Sequence, residues 1–297
     1  MASKIGWELY RSFLAVLEEG SLSGAARALG IAQPTVGRHV SSLQKALGVA
    51  LFTRTPTGLL PTDAALNLRP HAETMEATVA AMERAAASHG EGVRGVVRVT
   101  ASEVIGVEVL PAIVARLQSD HPELIVELVL SNRVQDLLRR EADIAVRMTR
   151  PRQDMLVARR IGNVELGLHA TRTYLQQHGT PRRTEELAKH RLIGFDQSNA
   201  FIRAASKALP FYQREAFSIR SDNDLAHLAL IRAGAGIGVC QVALAKRSAD
   251  IVRVLPKQVS IALDTWITMH ESLRGSPGCR ATFDTLVKGL QAHCRQA

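Results

Sequence analysis

Glycine cuts the first sixty residues into three short runs, and the spacing inside each run fixes what it can fold into. Leu9, Phe13 and Val16 recur at intervals of four and three, which is one apolar face of a helix, and Glu19-Gly20 ends that run. Ser21 or Ser23 can cap a second helix, Gly24 to Leu29, where the small Ala25 and Ala26 allow close approach before Gly30 stops it. A third helix begins at about Gln33-Pro34, since first-turn N–H groups have no intrahelical partner and proline loses nothing there. Val36, Val40, Leu43 and Leu47 form its buried face and Gly48 terminates it. The segment from Leu51 to Leu60 then reads as two short strands about a Pro/Gly turn, a wing.

Two short helices joined by a tight turn make a helix-turn-helix, whose second helix fits the major groove of duplex DNA and presents its N-terminal residues to base edges. Its outward residues are Gln33, Thr35, Arg38, His39, Ser41, Ser42 and Lys45. A glutamine pairs bidentately with adenine and an arginine with guanine, and the Thr35 methyl suits a thymine methyl. Arg54, in the wing, is placed for phosphate or a minor groove. The candidate DNA-contacting set is Ser23, Gln33, Pro34, Thr35, Arg38, His39, Ser42 and Arg54.

The runs Leu9 to Leu29, Gln33 to Val40, Leu43, and Leu47 to Arg54 resemble the LysR-type transcriptional regulators nearly without a gap. There are departures. Ala32 stands at the N-cap of the recognition helix where the family usually has serine, at a cost of about 0.5–2 kcal/mol. Gly37 replaces a residue with a side chain, at about 1 kcal/mol against alanine. The run Thr62 to Ala65 lacks the usual glycine. The first two put the base preference in question and leave the fold expectation intact.

After the wing, Leu68, Ala72, Met75, Val79, Met82 and Ala86 form a heptad stripe, with Pro70 expected to kink this helix or end its first turns. A stripe in a connector predicts a homodimer through the same helix of a second copy; the competing reading is packing onto the chain's own domains. The resemblance implies that such dimers associate further into tetramers.

Beyond Gly90-Glu91-Gly92 the pattern alternates. Strands are expected at Val96–Thr100, Ile125–Leu130, Asp143–Arg147, Val164–His169, Leu192–Phe195, Phe217–Ile219, Ile237–Val239, Ile251–Leu255 and Ile261–Met269. Helices are expected at Val109–Leu117, Val134–Arg140, from Thr173, at Asp224–Ala233, and through Phe283, Leu286, Val287 and Leu290. Such alternation predicts parallel sheets flanked by helices, in two lobes. The family layout, like a periplasmic binding protein, has the chain cross between lobes twice, here near Gly162 and Thr265. The expected architecture is therefore an all-α winged helix-turn-helix domain (1–62), a linker helix (63–92), and an α/β two-lobed effector-binding domain (93–297). Lobe I would be about 93–162 and 266–297, and lobe II about 163–265.

Ligands in open α/β sheets bind beyond the carboxyl ends of strands. Those positions hold Ser102, Glu103, Ser131, Asn132, Arg147, Asp196 and Asp222, the candidate effector-binding set. Ser102 precedes a helical run, where free N–H groups favour an anion. Arg147 would hold a carboxylate bidentately, with an interlobe salt bridge as its competing role. Glu103 and Asp196 would repel an anion unless they face away.

Net charge is +9, but the first 62 residues carry only +3 of it, so charge does not locate the DNA site. Three cysteines with no metal spacing, no apolar leader and no long apolar run point to a cytoplasmic protein with no membrane segment, disulfide framework or cofactor. Gly234 to Gly238 lies between a helix and a strand, the reverse of a dinucleotide fingerprint, and reads as a tight turn. No catalytic constellation stands out, so an enzyme is disfavoured; a solute-binding protein and a non-specific architectural DNA binder are the other readings. The leading one is a sequence-specific regulator of double-stranded DNA gated by a small-molecule effector, with contact to RNA polymerase as a further partner.

Overall fold

The computed structural model describes residues 5–56, 58–87, 92–132, 142–151, 156–198 and 200–296. The helix expected over 134–140 lies outside the described residues. The chain divides into an N-terminal unit ending at Ala86 and a C-terminal unit.

In the N-terminal unit, α1 (Trp7–Glu19), α2 (Leu22–Leu29) and α3 (Gln33–Leu47) each end on a left-handed glycine, Gly20, Gly30 and Gly48, with φ of 66°, 66° and 71°. Of the two candidate caps it is Ser21 that accepts the Gly24 N–H. Phe13, Leu43 and Leu51 lie in one apolar cluster and Val16, Ala25, Val36 and Val40 in a second. The wing pairs β1 (Phe52–Thr55) with β2 (Gly58–Pro61) and is tied back to the first helix: Leu59 N–H donates to Gly20 O at 2.8 Å. Gly58, with φ of 142°, is needed at that approach, because a Cβ would stand 2.6 Å from the Gly20 carbonyl oxygen.

Helix α4 (Asp63–Ala87) runs through Pro70, so the proline does not end it. Thr74 Oγ1 donates to Pro70 O at 2.7 Å one turn on. The heptad stripe is divided: Leu68 and Ala72 pack into the core of the N-terminal unit, as the competing reading held, while Met75 and Met82 are exposed.

The C-terminal unit is built on nine paired strands in the order β4 (Leu124–Leu130), β3 (Gly95–Ala101), β5 (Ile144–Arg147), β11 (Ile261–His270), β6 (Leu156–Thr171), β9 (Ile237–Gln241), β7 (Leu192–Gly194), β8 (Ile219–Arg220), with β10 (Ile251–Val254) on β6. Parallel pairing, which the alternation predicted throughout, is confined to the two ends: β3 with β4 and β5, and β7 with β8 and β9. Between them β6 and β11 pair antiparallel over their length, so the sheet is mixed. Strand β6 was read short because Arg159, Arg160 and Gly162 interrupt its apolar pattern. Gly162, at φ of 152°, faces Thr265, and the register slips between Thr265 and Trp266.

The first half carries α5 (Glu103–Glu108), α6 (Leu110–Asp120) and α11 (Pro277–Cys294). The second carries α7 (Arg172–His178), α8 (Ala200–Ala208), α9 (Asp224–Arg232) and α10 (Val242–Ala245). Leu117, Leu124, Ile144 and Leu286 anchor the larger core, and Leu168, Tyr174, Leu187 and Val254 the smaller. The helical run expected after Ser102 is α5, whereas α8 was not anticipated.

Candidate functional site

On the N-terminal unit, Gln33, Pro34, Arg38 and Ser42 of α3 are exposed, as are Ser23 of α2 and Arg54 of the wing, while Thr35 is half-buried. Arg38 Nη2 donates to Thr35 Oγ1 at 3.3 Å, which orders the guanidinium along the helix. His39 is placed differently from its neighbours: its Nδ1 lies 2.8 Å from Oγ of the buried Ser12, so the ring is engaged by α1. Ala32 caps α3 through its carbonyl oxygen alone, accepting from Thr35 N–H at 2.9 Å. Gln44, not singled out from sequence, holds the wing: its Oε1 accepts the N–H groups of Leu51 (2.7 Å) and Phe52 (3.3 Å).

In the C-terminal unit a cavity of about 340 Å³ lies beyond the strand ends of both halves. Five of the seven expected residues line it: Ser102, Ser131, Asn132, Arg147 and Asp222. The other two do not. Asp196 is paired with Arg214, Oδ1 lying 2.6 Å from Nη2 and 3.0 Å from Nε. Glu103 accepts from Nδ2 of Asn223 at 3.1 Å and of Asn132 at 3.5 Å. The repulsion these two carboxylates threatened is therefore directed away from the cavity. The anion site expected at the N-terminus of α5 is also changed, because the Glu103 N–H is already given to Asn132 Oδ1 at 3.1 Å.

Arg147 ends β5. Its Nη1 donates to Val146 O at 3.1 Å and its Nη2 to Thr100 Oγ1 at 2.7 Å, while its buried Nε has no partner. No carboxylate among the described residues forms an ion pair with it, so the interlobe salt bridge is absent there. Burial alone draws the guanidinium down to about 10.

Sequence reasoning missed the opposite wall. Phe195, Tyr212 and His227 make an aromatic surface, with Phe195 edge-on to His227 at 4.6 Å. His227 Nε2 lies 2.9 Å from Gly194 O and 2.7 Å from Ser221 O, which makes that nitrogen the protonated one. Leu166, Val239 and Leu263 add apolar surface. Phe195 falls at the end of an expected strand, which gives its ring no direction, and Tyr212 sits in an irregular segment with no period to read. Gln241 was within reach, because β9 continues its alternation two residues past Val239.

Contacts join the halves around the cavity. Asn132 Nδ2 also donates to Asp224 Oδ2 at 3.0 Å, and Glu108 holds Arg232 bidentately at 2.7 and 2.8 Å, which lowers the Glu108 pKa. Cys240 lines the cavity; its Sγ lies 3.3 Å from His169 Nδ1, and burial pushes the thiol up to about 12 and the imidazole down to about 4. A thiol so hard to ionise is a poor nucleophile. Among the described residues no helix is long and apolar enough to cross a membrane.

The family model described as LysR substrate binding domain matches residues 90–291, and that described as bacterial regulatory helix-turn-helix protein, lysR family, matches residues 7–66. The chain belongs to the LysR family. An HTH-type transcriptional regulator of Xanthomonas campestris pv. campestris is 30% identical over 181 residues, 61% of this chain and 53% of that protein. The HTH-type transcriptional regulator CrgA of Neisseria meningitidis is 32% identical over 185 residues, 62% of each chain. These alignments thus span less than two thirds of the relatives' length. The solved structure of CrgA, at 26% identity and a TM-score of 0.58, covers 95% of this LysR-family chain and 98% of its own. Full-length CbnR, solved with its target DNA, shares the fold at 21% identity and a TM-score of 0.67, covering 98% of this chain and 100% of that one.

Proposed function

We propose that this LysR-family protein is a transcription regulator that reads duplex DNA with α3 and the wing and is gated by a small carboxylate effector in the C-terminal cavity. The observation that carries the effector class is Arg147, a guanidinium at the mouth of a parallel strand that lines the cavity and forms no ion pair with a carboxylate among the described residues. Gln33, Thr35 and Arg38 are the base-reading residues, and Ser23, Ser42 and Arg54 contact the backbone. His39 contributes by holding α3 against α1. In this reading the domain limits are 1–62, 63–92 and 93–297, with the chain crossing between the lobes near Gly162 and Thr265.

Two copies associate through the exposed half of the α4 stripe, Met75 and Met82, and dimers pair into tetramers in the cytoplasm, where effector-dependent DNA bending alters access of RNA polymerase. Capture of genomic fragments by the purified protein tests the DNA reading. Paired half-sites that vanish in Arg38→Ala are expected, and diffuse capture unaffected by that change would refute it. Arg147→Ala is expected to abolish effector response while DNA binding persists; unchanged effector affinity would remove Arg147 from the site.

A further inference from the structure

Resting on that effector reading, we propose that the ligand is a zwitterion: an aminocarboxylate whose carboxylate meets Arg147 and whose ammonium meets Asp224. The two walls of the cavity carry opposite unbalanced charges. On the first half stands Arg147, hydrogen-bonded among the described residues to neutral oxygens. On the second stands Asp224, the first residue of α9, whose carboxylate accepts a hydrogen bond from the neutral amide of Asn132 at 3.0 Å. Among the described residues no Lys or Arg forms an ion pair with Asp224. Burial raises its pKa, outweighing the nearby His227 and the Asn132 hydrogen bond, which favour its charge.

Asp222 lines the same side, its Oδ1 occupied by the N–H groups of Asp196 (3.1 Å) and Gln197 (2.8 Å). A second carboxylate on the ligand would meet two acids. A simple monocarboxylate would balance Arg147 and leave Asp224 further desolvated without a counter-charge. One molecule with both charges offsets both walls, and Leu166, Val239 and the Phe195 and Tyr212 rings receive an apolar skeleton.

The test is calorimetric titration of the full-length protein with four aminocarboxylates of different charge spacing and their des-amino partners: L-phenylalanine and 3-phenylpropanoate, L-leucine and 4-methylpentanoate, 4-aminobutyrate and butyrate, 4-(aminomethyl)benzoate and 4-methylbenzoate. At least one aminocarboxylate is expected to bind about tenfold or more tighter than its partner. Asp224→Asn is expected to erase that advantage while leaving the des-amino acid's affinity in place, and Arg147→Gln to weaken both. Des-amino acids binding as tightly or tighter, still dependent on Arg147, would overturn the zwitterion and leave the carboxylate reading standing. An aminocarboxylate advantage that survives Asp224→Asn would overturn the role of Asp224. No binding by either series at millimolar concentration would overturn both readings together.

Discussion

Replacing Arg147 with methionine separates a ligand anchor from a structural keystone. Burial draws the guanidinium from 12.5 to about 10, and at about 1.4 kcal/mol per pH unit the folded state holds that charge at a cost of roughly 3 kcal/mol. Because the side chain is charged in both folded and unfolded chains below about 10, the whole penalty is present at neutral pH and is relieved only as pH rises through that value. Methionine fills much of the same volume without the charge. Two charge-assisted hydrogen bonds are lost, at about 1.5 kcal/mol each, but Thr100 Oγ1 still donates to Val129 O at 2.9 Å and Val146 stays paired with Ala101 and Ile267 in the sheet. The net expectation is a C-terminal unit within about 1 kcal/mol of its original stability, with effector response gone. Urea unfolding followed by Trp266 fluorescence in a Trp7→Phe background reads this unit, since Trp266 lies opposite Arg147 on the neighbouring strand. A loss of more than about 2 kcal/mol would show that Arg147 holds the fold together, in the range of a broken buried network, and would refute its assignment as a ligand anchor.

Acid should destabilise the C-terminal unit through His169. Between pH 6.5 and about 4 the unfolded imidazole takes a proton that the buried one refuses, so roughly 3 kcal/mol is lost as pH falls; denaturation midpoints in His169→Gln should lack that slope. Ala32→Ser and Gly37→Ala should each stabilise the N-terminal unit by about 1 kcal/mol. A Cβ at Gly37 finds only Leu22 Cδ1 at 3.7 Å, and a lowered melting temperature in either variant would contradict the capping and propensity arguments. Arg54→Ala should flatten the dependence of log affinity on log salt by about 1, whereas Arg38→Ala should cost about 1–3 kcal/mol and relax base preference at one position; operator titrations across salt distinguish them. Met75→Glu with Met82→Glu should yield monomers in sedimentation, and unchanged association would remove α4 from the interface.

The N-terminal unit was legible because its information is local. Glycines mark each stop, a proline marks a start, and Val36, Val40 and Leu43 report a buried face within one helix. What could not be read there was choice between equivalents: Ser21 over Ser23 as cap, and His39 turned to Ser12, both decided by how α1, α2 and α3 meet. In the C-terminal unit the rule that ligands gather at strand ends placed five of seven residues on the cavity, yet it gives no direction to a side chain. Glu103 and Asp196 occupy strand-end positions like the others, and partners distant in the chain, Asn223 and Arg214, draw them aside. The aromatic wall was missed for a related reason, since the end of an expected strand gives the Phe195 ring no direction and Tyr212 is held by tertiary packing without any local period.

The same wall placement bears on how a ligand could gate the molecule. The halves meet around the cavity through amide–carboxylate contacts at Glu103, Asn132, Asn223 and Asp224 and through the Glu108–Arg232 pair, in which Arg232 is 43% exposed. Exposed contacts of this kind contribute about 0–1 kcal/mol each, so closure is not strongly determined without ligand. Arg147 and Asp224 lie on opposite halves, and a ligand reaches both only when the halves are close. Its interactions with the two are therefore made in one arrangement and divided in the other, which is the differential affinity a population shift requires. Moving an equilibrium from about 1:99 to 99:1 takes about 5.5 kcal/mol, and two charge-assisted partners at about 1.5–3 kcal/mol each supply roughly that amount. A ligand engaging Arg147 alone would supply half. Such a ligand would bind without fully switching the protein, which makes Asp224→Asn the variant expected to bind the effector more weakly and, even at saturating effector, to lose regulation.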